Sequence, residues 1–407
     1  MSVELFNPNN KHEQLAEQDF LDRIGSGNVS IDSPFCDRRV EALNDIANKL
    51  MRSPLSAGAP QVLALGFWLR KSAVKQVQRD LLPQLPDCYC VPRGLAFHLP
   101  PANVDTLFAY SWALSFLAGN KNVVRLPSSL NPVAEHLVQT IIEVLEEQDL
   151  ADSQLFVFFE KTSNLVKEIS AISDLRVIWG GDAKVLNVSK NPVRPDGLSI
   201  GFSDRKSLSI ISARGFEEAD METRQEVARK LYNDLYWFDQ LGCGSPRALV
   251  WIGDNSDLRD SLYKMLQQVV LEKNETIETG VAISKFVFSN EMAGVGVCNQ
   301  VQQYSNELTI LKAEVQAGLL DNTHGGGILF DCRCETVDQI SCLIQPNLQT
   351  ITHFGLSVDE MESLKSVVCG HGGYRIVPIG NALSFSPIWD GMNLVAMFTR
   401  LVTAQSG

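Results

Sequence analysis

Apolar positions recur along this chain in two rhythms. Between residues 37 and 85 they fall three and four apart, as in "VEALNDIANKLM" and "ALGFWLRKS", and predict helices. From residue 91 short apolar runs alternate with helical stretches. "GLAFHL" predicts a strand, followed by a helix over 104–118. "NVVRLP" predicts the next strand, and "NPVAEHLVQTIIEVLEEQ" the next helix, with Asn131 at the N-cap and Pro132 at the first helical position. "LFVFF" and "RVIWGG" are further strands, each followed by helix-compatible sequence. A second series begins with the strand "SLSIIS". An amphipathic helix over 220–238 places Val227, Leu231, Leu235 and Phe238 about one turn apart. "RALVWIG", "GGGILFDC", "QTITHFG" and "YRIVPIG" complete that series. Strands alternating with helices predict an α/β chain with parallel sheets covered on both faces. No repeat or low-complexity linker separates the two series, so two packed α/β domains are expected.

Composition narrows the function classes. The chain has 407 residues, 45% hydrophobic and 20% charged, with a formal net charge of −13. That balance supports a large core and opposes nucleic-acid binding, which needs a basic footprint. The longest apolar candidate, "VDTLFAYSWALSFLAG", carries Asp105 and two serines, and reads as a buried helix instead of a membrane span. "MSVELFNPNNKHEQ" lacks a signal-peptide core, so a cytoplasmic protein is expected. Nine scattered cysteines then read as free thiols. "CYC" (Cys88, Cys90) and "CRC" (Cys332, Cys334) are spaced too closely for structural zinc, and no metal site is expected.

Five stretches can carry chemistry, and each has a plainer reading. In "FDQLGCGSP", Gly242 and Gly244 leave Cys243 open to a substrate at a helix-to-strand junction. A thiolate there is a nucleophile and the adjacent amide an oxyanion donor; the plainer reading is that Cys243 fills a small space at a tight turn. In "HLPPANVD", Asn103 either caps the following helix or donates its amide to an oxyanion. His98 reads as a hydrogen-bonded strand-end residue. In "VVRLPSS", Arg125 lacks a carboxylate neighbour; with Ser128 and Ser129 it suits a 2′-phosphate, or is a solvated surface arginine. In "IWGGDAKV", Gly180 and Gly181 can admit a pyrophosphate to a helix N-terminus, or Asp182 simply caps that helix. Neither G-x-G-x-x-G nor a P-loop motif is present. "THGGG" (Thr323 to Gly327) lacks the G-x-S-x-G elbow that an esterase reading requires, and reads as a turn. The aromatic run "LYWF" (Leu235 to Phe238) either lines a substrate tunnel or packs in the core.

Together "ALGFWLRKS", "GLAFHLPPANVDTLFAYSWALSFLAGNKNVVRLPSS", "FDQLGCGSP", "YRIVPIGNALSFSPIWDG" and "TRLV" resemble the LuxC-type acyl-CoA reductases. These are fatty-acid reductase subunits of bacterial bioluminescence and their relatives, within the aldehyde dehydrogenase superfamily. The resemblance covers nearly the whole chain. It implies an aldehyde-dehydrogenase-like fold: a Rossmann-like NADP(H)-binding domain over 1–206, a catalytic thiol domain over 207–374, and a segment over 375–407 returning to the first. It implies Cys243 as the acyl-accepting nucleophile, and Asn103 with the cysteine's amide as the oxyanion hole. Leu99, Pro101, Arg125, Ser128, Gly180 and Gly181 are placed with the cofactor. Ser128 stands where NAD-preferring members carry a ribose-binding glutamate, which favours NADPH. Phe202 in "FSDRKSLSI" stands where hydrolytic members carry their general base, which favours reduction over hydrolysis. The implied substrate is acyl-CoA or an acyl-protein thioester, with an acyl-protein synthetase subunit as a partner and a homo-oligomeric assembly. NAD(P)-dependent aldehyde oxidation and a non-reducing acyl-binding scaffold are the alternatives.

Overall fold

The computed structural model describes residues 2–7, 11–25, 32–85, 87–101, 103–273 and 276–404. It divides into two compact units, one of residues 1–203 with 385–407 and one of residues 204–384. The expected boundaries at 206/207 and 374/375 thus fall slightly late and slightly early.

The first unit is built on a seven-stranded sheet. Its strands are β1 (Ser2–Asn7), β2 (Lys11–Ala16), β4 (Leu95–Leu99), β5 (Lys121–Arg125), β6 (Gln154–Phe158), β7 (Leu175–Trp179) and β8 (Leu198–Phe202); β3 (Cys88–Pro92) lies outside it. The order is β2-β1-β6-β5-β4-β7-β8. The five strands β6 to β8 are parallel, and β1 joins antiparallel to both β2 and β6. Strand order reverses between β4 and β7, the crevice where open α/β sheets hold ligands. All five residues of β4 are buried, as expected of a central parallel strand. The helix Leu107–Leu117 is buried on every side, which is why its sequence shows no polar face. Asn131 caps the helix Pro132–Glu147 by accepting from the Ala134 amide, as its sequence predicts.

Several buried polar groups of this core are paired. His98 Nε2 lies 3.0 Å from Asn122 Oδ1 and its Nδ1 2.8 Å from Ser111 Oγ, so the ring is neutral with its proton on Nε2. Burial pushes its pKa down to about 4. Asn122 and Trp112 both donate to Gln154 Oε1.

The second unit has β9 (Lys206–Ser212), β10 (Ala248–Ile252), β11 (Gln300–Gln303), β12 (Thr309–Lys312), β13 (Ile328–Cys334), β14 (Leu348–Phe354) and β15 (Arg375–Pro378). They form a sheet in the order β11-β12-β13-β10-β9-β14-β15, parallel except for β11. Apolar clusters cover both faces: Leu208, Val250 and Phe330 on one, Ile211, Trp251 and Leu329 on the other. The chain then re-enters the first unit. A short hairpin of β16 (Ile388–Trp389) and β17 (Met392–Asn393) precedes β18 (Thr399–Thr403), which pairs antiparallel with β3. Leu394, Val395 and Phe398 complete the first unit's core.

None of the nine cysteines forms a disulfide. Cys332 and Cys334 are buried on β13, and burial drives both thiols upward in pKa, Cys334 to about 11. Among the described residues no cluster of His, Cys, Asp or Glu is placed to hold a metal, and no helix is long and apolar enough to cross a membrane.

Candidate functional site

Cys243 is exposed on the turn that leads from the helix Met221–Tyr236 into β10. The helix stops where Phe238, Asp239 and Gln240 enter the left-handed region, with φ of 58°, 52° and 62°. Phe238 therefore leaves the helical stripe that its spacing predicts. The aromatic run splits accordingly. Leu235 is core, and Tyr236 stacks on Tyr232 and donates to the Glu307 carbonyl. Trp237 and Phe238 stay half-buried beside the turn.

Three consecutive left-handed residues other than glycine are costly and must be held from outside. The "THGGG" stretch does the holding. Gly326 donates its amide to the Asp239 carbonyl, and Gly327 donates to Gln240 Oε1. The buried Gln240 Nε2 donates in turn to the carbonyls of Pro246 and Ile328, bracing both ends of the turn. Ser207 Oγ donates to the Cys243 carbonyl at 2.7 Å. Space beside the flanking glycines is tight, and at Gly244 it is closed by backbone. A Cβ on Gly244 would lie 2.4 Å from the Ala382 carbonyl, and one on Gly242 3.0 Å from Leu383 Cδ2.

A cation stands near the sulfur. Arg247 donates to the carbonyls of Leu320 and Arg205. Burial lowers its pKa, while the negative charges of Cys243 and Asp204 pull it back up. The attraction is mutual, so the Arg247 guanidinium favours the Cys243 thiolate.

The other candidate residues belong to the first unit. Leu99 ends β4 and Gly180 follows β7. They meet through Lys184, whose Nζ donates to the carbonyls of Leu99, Pro100 and Trp179. Burial, with Arg125 and Lys161 nearby, brings the Lys184 pKa down to about 8. Arg125 is half-buried, not a solvated surface residue. Its guanidinium lies 4.8 Å from the Phe159 ring centroid and donates to the Phe159 carbonyl, while its buried Nε has no hydrogen-bond partner. The carboxylate neighbour missing from its sequence surroundings is supplied in space by Glu160, whose charge raises the Arg125 pKa against the larger lowering from burial. Pro101 lines a cleft with Phe108, Pro127 and Leu130, and the exposed Ser128 a different one with Phe6, His12 and Glu135.

Three plainer readings give way. Asn103 does not cap the helix: Thr106 occupies the cap position of Leu107–Leu117, and Asn103 is exposed upstream. Asp182 is not a cap either, because Gly181 holds that position and Asp182 opens the helix Asp182–Ser189. "THGGG" is more than a turn into β13, since it braces the Cys243 turn. His98 keeps its expected role as a bonded strand residue. Phe202 is 3% exposed and stacks on Trp179 with ring centroids 3.9 Å apart. Arg247 and Gln240 were not singled out from sequence. The signal lies in their spacing from Cys243, Gln240 three residues before it and Arg247 four after.

The sequence profile of the acyl-CoA reductase (LuxC) family matches residues 87–401. Curated relatives include the long-chain acyl-protein thioester reductase of Aliivibrio fischeri, 29% identical over 42% of this chain and 35% of that protein. The reductase of the same name from Photobacterium phosphoreum is 23% identical over 81% of this chain and 66% of that protein. The matches thus span between about a third and just under two thirds of these relatives' lengths. Among solved structures, glyceraldehyde-3-phosphate dehydrogenase GapN of Methanocaldococcus jannaschii, complexed with NADP, superposes with a TM-score of 0.66 at 13% identity, covering 98% of this chain and 97% of that one. An NAD-dependent benzaldehyde dehydrogenase of Corynebacterium glutamicum gives 0.64 at 11% identity, over 98% and 95%. The fold is that of the aldehyde dehydrogenases, and with well over half of its length matched by one family profile, the chain belongs to the LuxC family of acyl-CoA reductases.

Proposed function

We propose that this chain reduces the thioester of a long-chain acyl group to the aldehyde, with NADPH as reductant and Cys243 as nucleophile. The observation that carries this reading is the Cys243 turn: an exposed thiol on a braced loop, beside the half-buried cation Arg247. The family, and relatives named long-chain acyl-protein thioester reductases, support the substrate class. Arg125, Lys161 and Lys184 outnumber Glu160 at the strand ends, and the unpartnered Arg125 Nε fits a phosphate-bearing cofactor.

In this reading the Cys243 thiolate attacks the thioester carbonyl. The carrier's C–S bond breaks, and the carrier leaves as a thiol after taking a proton. Asn103 donates to the oxyanion that develops. The acyl group stays on Cys243 Sγ. Phe202, packed on Trp179, has no group to activate water, and its place in the sequence favours reduction over hydrolysis of the acyl-cysteine. Arg125, with Leu99, Pro101, Ser128, Gly180 and Gly181 on the same unit, would hold NADPH, which would supply hydride to the acyl carbon. The resulting hemithioacetal collapses to the aldehyde, which returns Cys243 to the thiolate.

The test is NADPH oxidation with acyl-CoAs of graded chain length and with acylated carrier protein, with aldehyde measured as product. Cys243→Ala abolishes turnover, and Asn103→Ala lowers kcat about a hundredfold or more. Wild-type rates in Cys243→Ala reject the mechanism. Free acid formed without a thioester assigns aldehyde oxidation instead, and absence of NADP(H) binding assigns an acyl scaffold.

A further inference from the structure

Asp234 lies on the helix that feeds the Cys243 turn and is 1% exposed. Its two carboxylate oxygens accept from the backbone amides of Gly380 and Ala382, at 2.7 and 2.9 Å. Arg375 holds the same loop from β15, donating to the Ala382 carbonyl and to Ser384 Oγ. The loop so suspended is the one packed on both neighbours of Cys243. The Ala382 carbonyl meets Gly244, and Leu383 Cδ2 lies 3.0 and 3.4 Å from where Cβ atoms of Gly242 and Gly244 would stand. A buried carboxylate whose hydrogen bonds among the described residues go to loop amides is poorly explained by stability alone, because an apolar residue avoids its desolvation cost.

We propose that Asp234 is a positioning residue for Cys243: it hangs the 380–384 loop as a backstop that keeps the turn, and with it the sulfur, in place beside Arg247. Leu383 is the side chain through which the backstop acts. The inference rests on the reading of Cys243 as nucleophile only for its purpose, and its test needs no substrate. Arg247 and Asp204 are the charged groups coupled at the turn, and Arg375 the one coupled to Asp234.

The test is the pH profile of alkylation by iodoacetamide, read residue by residue in the intact protein by peptide mass spectrometry. Cys369 is exposed in the same chain and serves as the internal reference. Asp234→Asn leaves one oxygen acceptor and turns an amide donor toward the loop's own donors. Leu383→Ala removes the contact without touching the Asp234 bonds. Both variants raise the Cys243 midpoint by about one pH unit, which slows its alkylation at neutral pH about tenfold, with Cys369 unmoved. Leu383→Met restores the wild-type profile. An unmoved Cys243 midpoint in either folded variant overturns the proposal, and if Asp234→Asn does not fold, Leu383→Ala decides alone. Failure of every thioester to turn over would remove the enzymatic reading and leave this outcome unaffected.

Discussion

At the scale of single residues, the clearest demand on a ligand comes from Arg125. Its guanidinium is half desolvated, faces a ring, and leaves Nε without a partner. A charge-assisted bond to a phosphate oxygen satisfies that group and is worth about 1.5 kcal/mol or more. Arg125→Leu is therefore expected to raise the KM for NADPH roughly tenfold while moving that for NADH little. Steady-state kinetics with both cofactors checks this, and equal loss for the two removes Arg125 as the phosphate partner. Residue types were legible in the sequence where their neighbours in the chain are also their neighbours in space. Cys243 between two glycines is such a case, and so is the Asn131 cap. Arg125 was half legible: its placement at a strand end was, but Glu160 arrives from the end of β6 and could not be seen. Asp234 was illegible, because its partners come from residues 380 and 382 and nothing local marks it.

At the scale of elements, strands and helices were read well wherever burial follows one period. β4 and β10 fall within the predicted apolar runs, and β5, β7 and β9 each begin one residue before theirs. The hairpin of β1 and β2 went unread, although Val3 and Leu5 alternate inward on β1, because β2 is polar and offers no run of its own. The helix before Cys243 reads as continuing to Phe238 because side-chain periodicity is blind to φ. Its true end is set by the brace from Gly325–Gly327. That brace is testable. Gly327 has φ +76°, and a Cβ there would lie 1.9 Å from the Glu307 carbonyl. Gly327→Ala is expected to lower stability by about 2 kcal/mol or more, the left-handed penalty plus the displaced carbonyl. Gly280→Ala, with nothing within 4 Å of its Cβ, is the control and is expected to be neutral or slightly stabilising. Equal urea midpoints for the two variants would falsify the brace.

For the whole molecule, one buried group in each unit responds to acid in the opposite sense from the other. His98, in the first unit, has its folded pKa depressed to about 4 from 6.5. Between those values the unfolded chain binds the extra proton, so this group's contribution is full above pH 6.5 and is lost as pH falls toward 4, about 3 kcal/mol in all. Asp234, in the second unit, has its carboxyl pushed up to about 7 by burial. Its native state holds the proton more tightly, so its contribution is full below the ordinary carboxylate range and is lost as pH rises through 7. Calorimetry at pH 7 and pH 5 is expected to show the first unit losing ground relative to the second on acidification. A His98→Gln variant should flatten the first unit's dependence, and an unchanged slope in that variant rules His98 out as its source. The fold class was legible at this scale from the alternation of strands and helices. The point at which the chain returns to the first unit was placed less well, because residues 375–384 continue the second unit's strand-and-loop pattern before the crossing.

That return has a consequence for the order of events during synthesis. The second unit is one unbroken stretch, whereas the first is closed only by β18 on β3 and by Leu394, Val395 and Phe398 in its core. On a translating ribosome, residues 204–384 are all made before the segment that finishes the first unit exists. The domain begun first is thus the one completed last, and its unfinished core and the open edge of β3 are the surfaces a nascent chain of this protein must keep from misassociation.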